Sequence, residues 1–345
     1  MYQEISFASD NCAGVHAEVM KALNNANEGY VNSYGEDAYT EKAVKTFRKH
    51  FGEETEIFFV YNGTAANVLG LTQGTSSFKT IYCSDSAHIH VDECGAMERI
   101  GGCKVQAIPS ADGKISAKDI EPYMQGVGVE HRSQPGVISI TQPTEYGTVY
   151  TAAEIKALCQ FAHEKNMILH MDGARLANAA VSLGMPFRQF TRDCGVDLLS
   201  FGGTKNGLMF GEAVLFFNPA VAEDFKYLRK QGMQLHSKMR FIAVQFETLM
   251  RRVLWKESAE HANRMAQYLH EKLLILKDIK ITKPVQANVV FATLPRRIIP
   301  PLQQKYQFLV WNESENEVRL MTSFLTEESH VKALVNDVEK LLHSE

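Results

Sequence analysis

Leu198-Leu199-Ser200-Phe201-Gly202-Gly203-Thr204-Lys205-Asn206-Gly207 reads as a buried strand that runs into a small, flexible turn and presents one lysine. A strand that is apolar throughout, rather than alternating, is covered on both faces. Runs of the same kind occur at residues 57–61, 80–83, 105–108, 137–140, 167–171 and 213–217, with helical segments between them. Strand–helix alternation of this type predicts an α/β fold with a mostly parallel sheet. Ligands on such sheets lie at the carboxyl ends of the strands. Gly202, Gly203 and Gly207 are expected to let a ligand approach the backbone. A lysine held at the edge of an apolar core can lose its proton and act as a nucleophile. Taken alone, the stretch fits a surface lysine in a strand-to-helix turn equally well.

The rest of the chain narrows the choice. Its 345 residues suggest two domains, and 45% hydrophobic with 22% charged residues is an ordinary globular composition. A net charge of -4, with no basic run carrying interleaved aromatics, gives no case for nucleic acid. The apolar runs are strand-sized, far short of a membrane span. The start, Met1-Tyr2-Gln3-Glu4, lacks a signal-peptide pattern. Cys12, Cys83, Cys94, Cys103, Cys159 and Cys194 form no CxxC pair, so no metal site is expected and a cytoplasmic setting is the simplest reading. Residues 1–14 read as a mobile arm, 15–255 as a large domain and 256–345 as a small α+β domain. Thr40 is expected to cap a helix over 41–51, and residues 237–270 read as one long helix. Strands are expected near 289–294 and 318–322, and an amphipathic helix over 327–342.

Four features follow successive strands. Asn62-Gly63-Thr64-Ala65-Ala66-Asn67 opens a helix, and free N–H groups at a positive helix end make a phosphate seat. It is neither GxGxxG nor GxxxxGK[ST], which counts against a nucleotide-binding dehydrogenase. His88, in Ser86-Ala87-His88-Ile89-His90, can stack on a flat ring or move a proton. Asp172 ends the strand in Leu169-His170-Met171-Asp172-Gly173-Ala174-Arg175, and Arg175 follows within one turn. Lys205 is the fourth. Singly, these read as a helix cap, a structural histidine, a local ion pair and a surface lysine. Together they supply what pyridoxal phosphate needs: an anchor for the phosphate, a group to cover the ring, a carboxylate for the pyridine nitrogen and a lysine to bond the cofactor.

His170-Met171-Asp172-Gly173-Ala174-Arg175-Leu176-Ala177-Asn178-Ala179 resembles the signature of the L-threonine aldolases, within the aromatic amino acid β-eliminating lyase/threonine aldolase group. Phe7-Ala8-Ser9-Asp10-Asn11, residues 62–67, Ala87-His88 with Glu93-Cys94-Gly95, and residues 200–205 resemble the group's other blocks in the same order. The resemblance implies a fold-type I pyridoxal phosphate enzyme: a seven-stranded, mostly parallel sheet with helices on both faces and a small C-terminal domain. It implies that Lys205 bonds the cofactor, Asp172 faces the pyridine nitrogen and Arg175 the ring hydroxyl. Gly63 and Thr64 would hold the phosphate, and His88 would cover the ring. Ser9 and Arg319 would hold the substrate carboxylate, since Arg offers a bidentate fork. His131 would be a second active-site histidine. Arg229 would reach a neighbour's phosphate, implying a homodimer or homotetramer with shared sites.

Two departures stand out. Thr204 precedes Lys205 where many members have serine. Glu145-Tyr146 replaces a histidine followed by Asn or Gly in the block 142–147. The chain resembles the low-specificity, phenylserine-cleaving branch more than a strict allo-threonine enzyme. The implied reaction is retro-aldol cleavage of an L-3-hydroxy-α-amino acid to glycine and an aldehyde. β-Elimination or transamination on the same scaffold, or a catalytically silent scaffold, are the rival readings.

Overall fold

Covered, continuously apolar strands do form the centre of this protein. The computed structural model describes residues 5–251 and 253–344. Its large sheet contains β1 (Glu56–Val60), β2 (Lys79–Ser84), β3 (Lys104–Ile108), β4 (Gln134–Thr141), β5 (Ile168–Gly173), β6 (Leu198–Gly202) and β7 (Glu212–Phe216). The strand order is β1-β7-β6-β5-β4-β2-β3. The strands from β3 through β6 are parallel, and β7 runs antiparallel to β6 and β1. This is the mostly parallel seven-stranded sheet the sequence predicts.

Alternate residues of each strand feed different cores. Leu199 and Phe201 of β6 join Phe47, Phe51 and Phe246 on one face. Leu198 turns to the other face, with Ala66, Leu69 and Phe225. The helix Ala38–Phe51 supplies two of these rings. Asp37 caps it, accepting from the Thr40 N–H at 2.9 Å, and Gly52 ends it at φ 110°. The cap is therefore Asp37, three residues before the expected Thr40. The aspartate precedes Ala38 and Tyr39, both of which continue the helical pattern backwards.

A second, antiparallel sheet has the order β10-β11-β9-β8. It comprises β8 (Lys280–Ile281), β9 (Val289–Thr293), β10 (Leu309–Asn312) and β11 (Glu317–Met321). Val331, Leu334, Val335 and Val338 of the helix Glu328–His343 pack in its core. Residues 237–270 do not form one helix. A helix Arg240–Arg251 ends in the large domain, and a second, Leu254–Leu274, links the two cores. Leu254, Trp255 and Ala259 belong to the large core, and Ala266, Leu269 and Leu273 to the small one. The expected division at 255/256 thus falls within a continuous helix. The described part of the N-terminal arm is docked: Phe7 is fully buried in the small core, its N–H donates to Gln307 and its carbonyl accepts from Met321. Residues 1–4 lie outside the described residues.

The glycines around Lys205 have packing and backbone reasons of their own. A Cβ at Gly202 would lie 2.2 Å from the Ala174 carbonyl oxygen, and one at Gly203 would lie 2.5 Å from Leu208 Cδ1. Gly207 has φ +101°, a conformation L side chains rarely adopt. Gly202 therefore permits β6 to pass against the turn that follows β5. Gly202→Ala should cost roughly 1–3 kcal/mol or more, as overpacking against backbone does. It should lower the midpoint of thermal unfolding, whereas Gly63→Ala, which meets open space, should not. Equal melting of Gly202→Ala and the parent would refute this packing role.

Candidate active site

A cavity of about 430 Å³ opens where β4, β5 and β6 end and the helix Gly63–Gly74 begins. That volume falls in the range of small-molecule sites. Register fixes its floor: Thr141 pairs with Asp172, and Asp172 with Ser200. Lys205 follows three residues after β6 ends, in the short turn Thr204–Asn206, and lines the same cavity. Burial, and then the nearby Arg175 charge, lower the Lys205 pKa from its usual value. A neutral amine is the nucleophilic form.

Asp172 is buried, and both of its oxygens are engaged. Oδ1 accepts from the Ala174 N–H at 2.9 Å and Oδ2 from Asn67 Nδ2 at 2.8 Å. Gly63 and Thr64 form the first turn of their helix and line the cavity. Asn62 caps that helix through the Ala65 N–H. First-turn N–H groups have no partner within a helix, so this end is suited to an anion. His88 lines the cavity and bonds Glu93 Oε1 through Nδ1 at 2.8 Å. That bond raises the His88 pKa, and burial opposes it less strongly.

Arg175 lines the cavity too, but its Nε and Nη2 are committed to Asp10 at 2.6 and 2.8 Å. Burial pushes the Asp10 carboxyl up, but Arg175, Lys205 and Asn288 together hold it below its usual range. Asp10 follows Ser9, which caps the short turn Asp10–Cys12. Arg319, on β11, donates from Nη2 to the Ala8 carbonyl at 3.1 Å, and its Nε is buried without a protein partner. Arg319 thus reaches the residue before Ser9, and neither Ser9 nor Arg319 lines the cavity.

Two predicted residues lie elsewhere in the chain. His131 is exposed on the loop before β4 and lines a separate cavity with Thr80, Lys104 and Tyr123. β2, β3 and β4 run parallel, so this is the amino end of the sheet, opposite the site. Within one chain His131 is not part of the site, and a role there requires a second copy. Arg229 donates to the Phe59 carbonyl at 3.3 Å and stacks on Phe58. Its Nε is buried and unpartnered, and burial brings its pKa down to about 10.

The structure adds carboxyls that the sequence reading assigned no role. Glu145 lines the cavity, and its Oε1 accepts from the His88 N–H at 2.8 Å and the Thr141 hydroxyl at 2.9 Å. Its Oε2 is buried with no protein partner, and burial pushes the carboxyl up to about 7. Glu212 begins β7 opposite Gly202, accepts from the Gly203 N–H at 2.8 Å, and is also raised to about 7 by burial. The signal available for Glu212 was a charged residue directly before an all-apolar strand. For Glu145 it was the departure in the 142–147 block.

An amine and a carboxylate on neighbouring strand ends, facing a helix N-terminus, define a class of site that the comparisons make specific. A family model described as beta-eliminating lyase matches residues 6–295, and the chain belongs to this family. Within it, the chain is 40% identical over 342 residues to a low specificity L-threonine aldolase of a Pseudomonas species, covering 99% of each. It is also 40% identical over 344 residues to the low specificity L-threonine aldolase of Pseudomonas aeruginosa, covering 97% of each. A solved threonine aldolase of Leishmania major superposes with a TM-score of 0.92 at 28% identity, over 98% of this chain and 99% of that one. A putative L-allo-threonine aldolase of Listeria monocytogenes, 17% identical, shares the fold with a TM-score of 0.76 over 98% of this chain and 96% of that one.

The raised Glu145 carboxyl makes a prediction about stability. Its folded pKa lies above its unfolded value, so the folded state binds the extra proton and stability falls as pH rises from about 4.5 through about 7. Glu145→Gln removes that loss. Its melting temperature relative to the parent should rise between pH 5 and pH 8 in thermal unfolding. A difference that is constant with pH would show that Glu145 titrates normally.

Proposed function

We propose that this protein is a pyridoxal 5'-phosphate-dependent aldehyde-lyase, a carbon–carbon lyase of threonine aldolase type. Its substrates are L-3-hydroxy-α-amino acids such as L-threonine, L-allo-threonine or phenylserine, and its products are glycine and an aldehyde. The observation that carries this reading is that Lys205 and Asp172 line one cavity on neighbouring strand ends. The 40% identity to low specificity L-threonine aldolases along nearly the whole chain supports it independently.

The residues present fit the cofactor. Its phosphate has a helix N-terminus at Gly63 and Thr64, its ring nitrogen a fixed carboxylate at Asp172, and its aldehyde an amine of lowered pKa at Lys205. When bound, it supplies an electron sink for breaking a bond to Cα. The chain's own residues do the rest. Asp172 is oriented by two donors and would keep the ring nitrogen protonated. His88 would cover the ring. Arg175, fixed by Asp10, would face the ring hydroxyl. Ser9 and Arg319 would hold the substrate carboxylate, using the unpartnered Arg319 Nε. The β-hydroxyl proton would pass to the wall where His88 and Glu145 lie together. Positioned acid–base help of this kind contributes roughly a hundred- to ten-thousand-fold.

The assembly in this reading is a homodimer or homotetramer with shared sites. His131 and Arg229 would act on a neighbour's site, since neither lines the cavity of its own chain. In this reading the enzyme is cytoplasmic and acts on a small molecule; no helix among the described residues is long and apolar enough to cross a membrane.

Lys205→Ala should fold like the parent, reduce threonine-dependent aldehyde release to background and abolish the visible absorbance that pyridoxal phosphate gives with the parent. Parent-like aldehyde release from this variant would end the reading.

A further inference from the structure

One buried hydrogen-bond chain joins two residues that the proposed function uses separately. His88 Nδ1 lies 2.8 Å from Glu93 Oε1. Asn67 Nδ2 donates to that same oxygen at 2.9 Å and to Asp172 Oδ2 at 2.8 Å. The amide nitrogen has two hydrogens, so one serves each carboxylate. Asn67 and Glu93 are both buried. Asn67 lies on the second turn of the helix Gly63–Gly74, one turn beyond the anion-binding end. The chain therefore spans the cavity from its histidine to its aspartate, anchored on the helix that opens the site.

Such a bridge is a poor way to stabilise a fold. Asn67 Oδ1 and Glu93 Oε2 are buried with no protein partner. Unsatisfied buried polar atoms cost roughly 1–3 kcal/mol each, more for charged groups. Asn67 is followed along its helix by the buried Val68, Leu69 and Leu71, where an apolar side chain would pack without that cost. Local arrangements that weaken a fold are expected at functional sites.

We propose that Asn67 and Glu93 are positioning residues that hold His88 and Asp172 as a single unit. This rests on the reading of His88 and Asp172 as the residues that cover the cofactor ring and face its nitrogen. Asn67 fixes the aspartate's outer oxygen, and Glu93 fixes the imidazole. The negative charge of Glu93 also favours the protonated imidazole, which the other nearby charges, Asp172 and Lys205, pull in opposite directions. Glu145 reaches only the His88 backbone N–H, so the ring itself depends on Glu93.

The test uses the cofactor-loaded enzyme and the variants Asn67→Leu, which removes the bridge, and Glu93→Gln, which keeps the acceptor oxygen and removes the charge. The readouts are the pyridoxal phosphate dissociation constant, followed by visible absorbance, and the pH profile of kcat/KM. Asn67→Leu should weaken cofactor binding about tenfold or more, the loss expected when a buried carboxylate loses a partner. Glu93→Gln should keep the affinity within about threefold, and should move the limb due to His88 down by about one pH unit. If Asn67→Leu fails to fold, the pH shift in Glu93→Gln decides alone. A parent that binds the cofactor, with Asn67→Leu binding it equally well and Glu93→Gln leaving the limb in place, overturns the bridge. A parent that develops no visible band overturns the cofactor reading, and the bridge with it.

Discussion

The register between β4, β5 and β6 governs this protein. It sets Thr141, Asp172 and Ser200 level at the carboxyl end of the sheet. A shift of one residue would turn Asp172 into the apolar layer and bring a neighbour of opposite facing to the cavity. The apolar residues between them prevent that shift. Leu169 and Met171 of β5, and Leu199 and Phe201 of β6, are fully buried in one core. On the opposite facing, His170 fills its place by bonding Ser139 and Ser200 at 2.8 and 3.0 Å. Burial brings that imidazole down to about 4, so it remains neutral and acts as packing.

Once the register is fixed, buried charges hold the N-terminal segment and the small sheet to the site. The Arg175–Asp10 pair ties the N-terminal arm to the turn after β5. Asn288 of the small domain also donates to Asp10, at 3.3 Å, and Met321 Sδ lies 3.1 Å from Arg175 Nη2. Removing either partner of such a pair would leave an uncompensated buried charge. The N-terminal segment, the turn after β5, the residue before β9 and the end of β11 thus meet at one ion pair. On the same side of the molecule Arg319 reaches the N-terminal segment through the Ala8 carbonyl, 311 residues away in sequence.

The large sheet was legible because its strands are continuously apolar, and each of them is present within a few residues of its expected place. β8 and β10 were not legible. β8 has two residues, and β10 is a partly exposed edge strand of four whose apolar residues are not covered on both faces. Lys205, Asp172, Gly63, Thr64 and His88 were legible as cavity-lining residues because each lies at, or within four residues after, the carboxyl end of a strand. Asn67, Glu93 and Glu212 were not. Their importance arises from what they touch across 26 to 105 residues of sequence in the case of Asn67, and local pattern cannot report that. His131 is the converse case: the family resemblance implied it for the site, and within one chain the direction of β4 carries it to the other end of the sheet. Gly202 has a reason beyond the expected one: its missing Cβ makes room for Ala174, and the residue also lines the cavity.

The central claim is that this cavity breaks a carbon–carbon bond and does not eliminate a β-substituent. The most direct measurement is the product balance of the purified protein loaded with pyridoxal phosphate and given L-threonine. Glycine and acetaldehyde in equal amounts, with ammonia at background, is the predicted result. Ammonia with a keto acid, and no glycine, would contradict it.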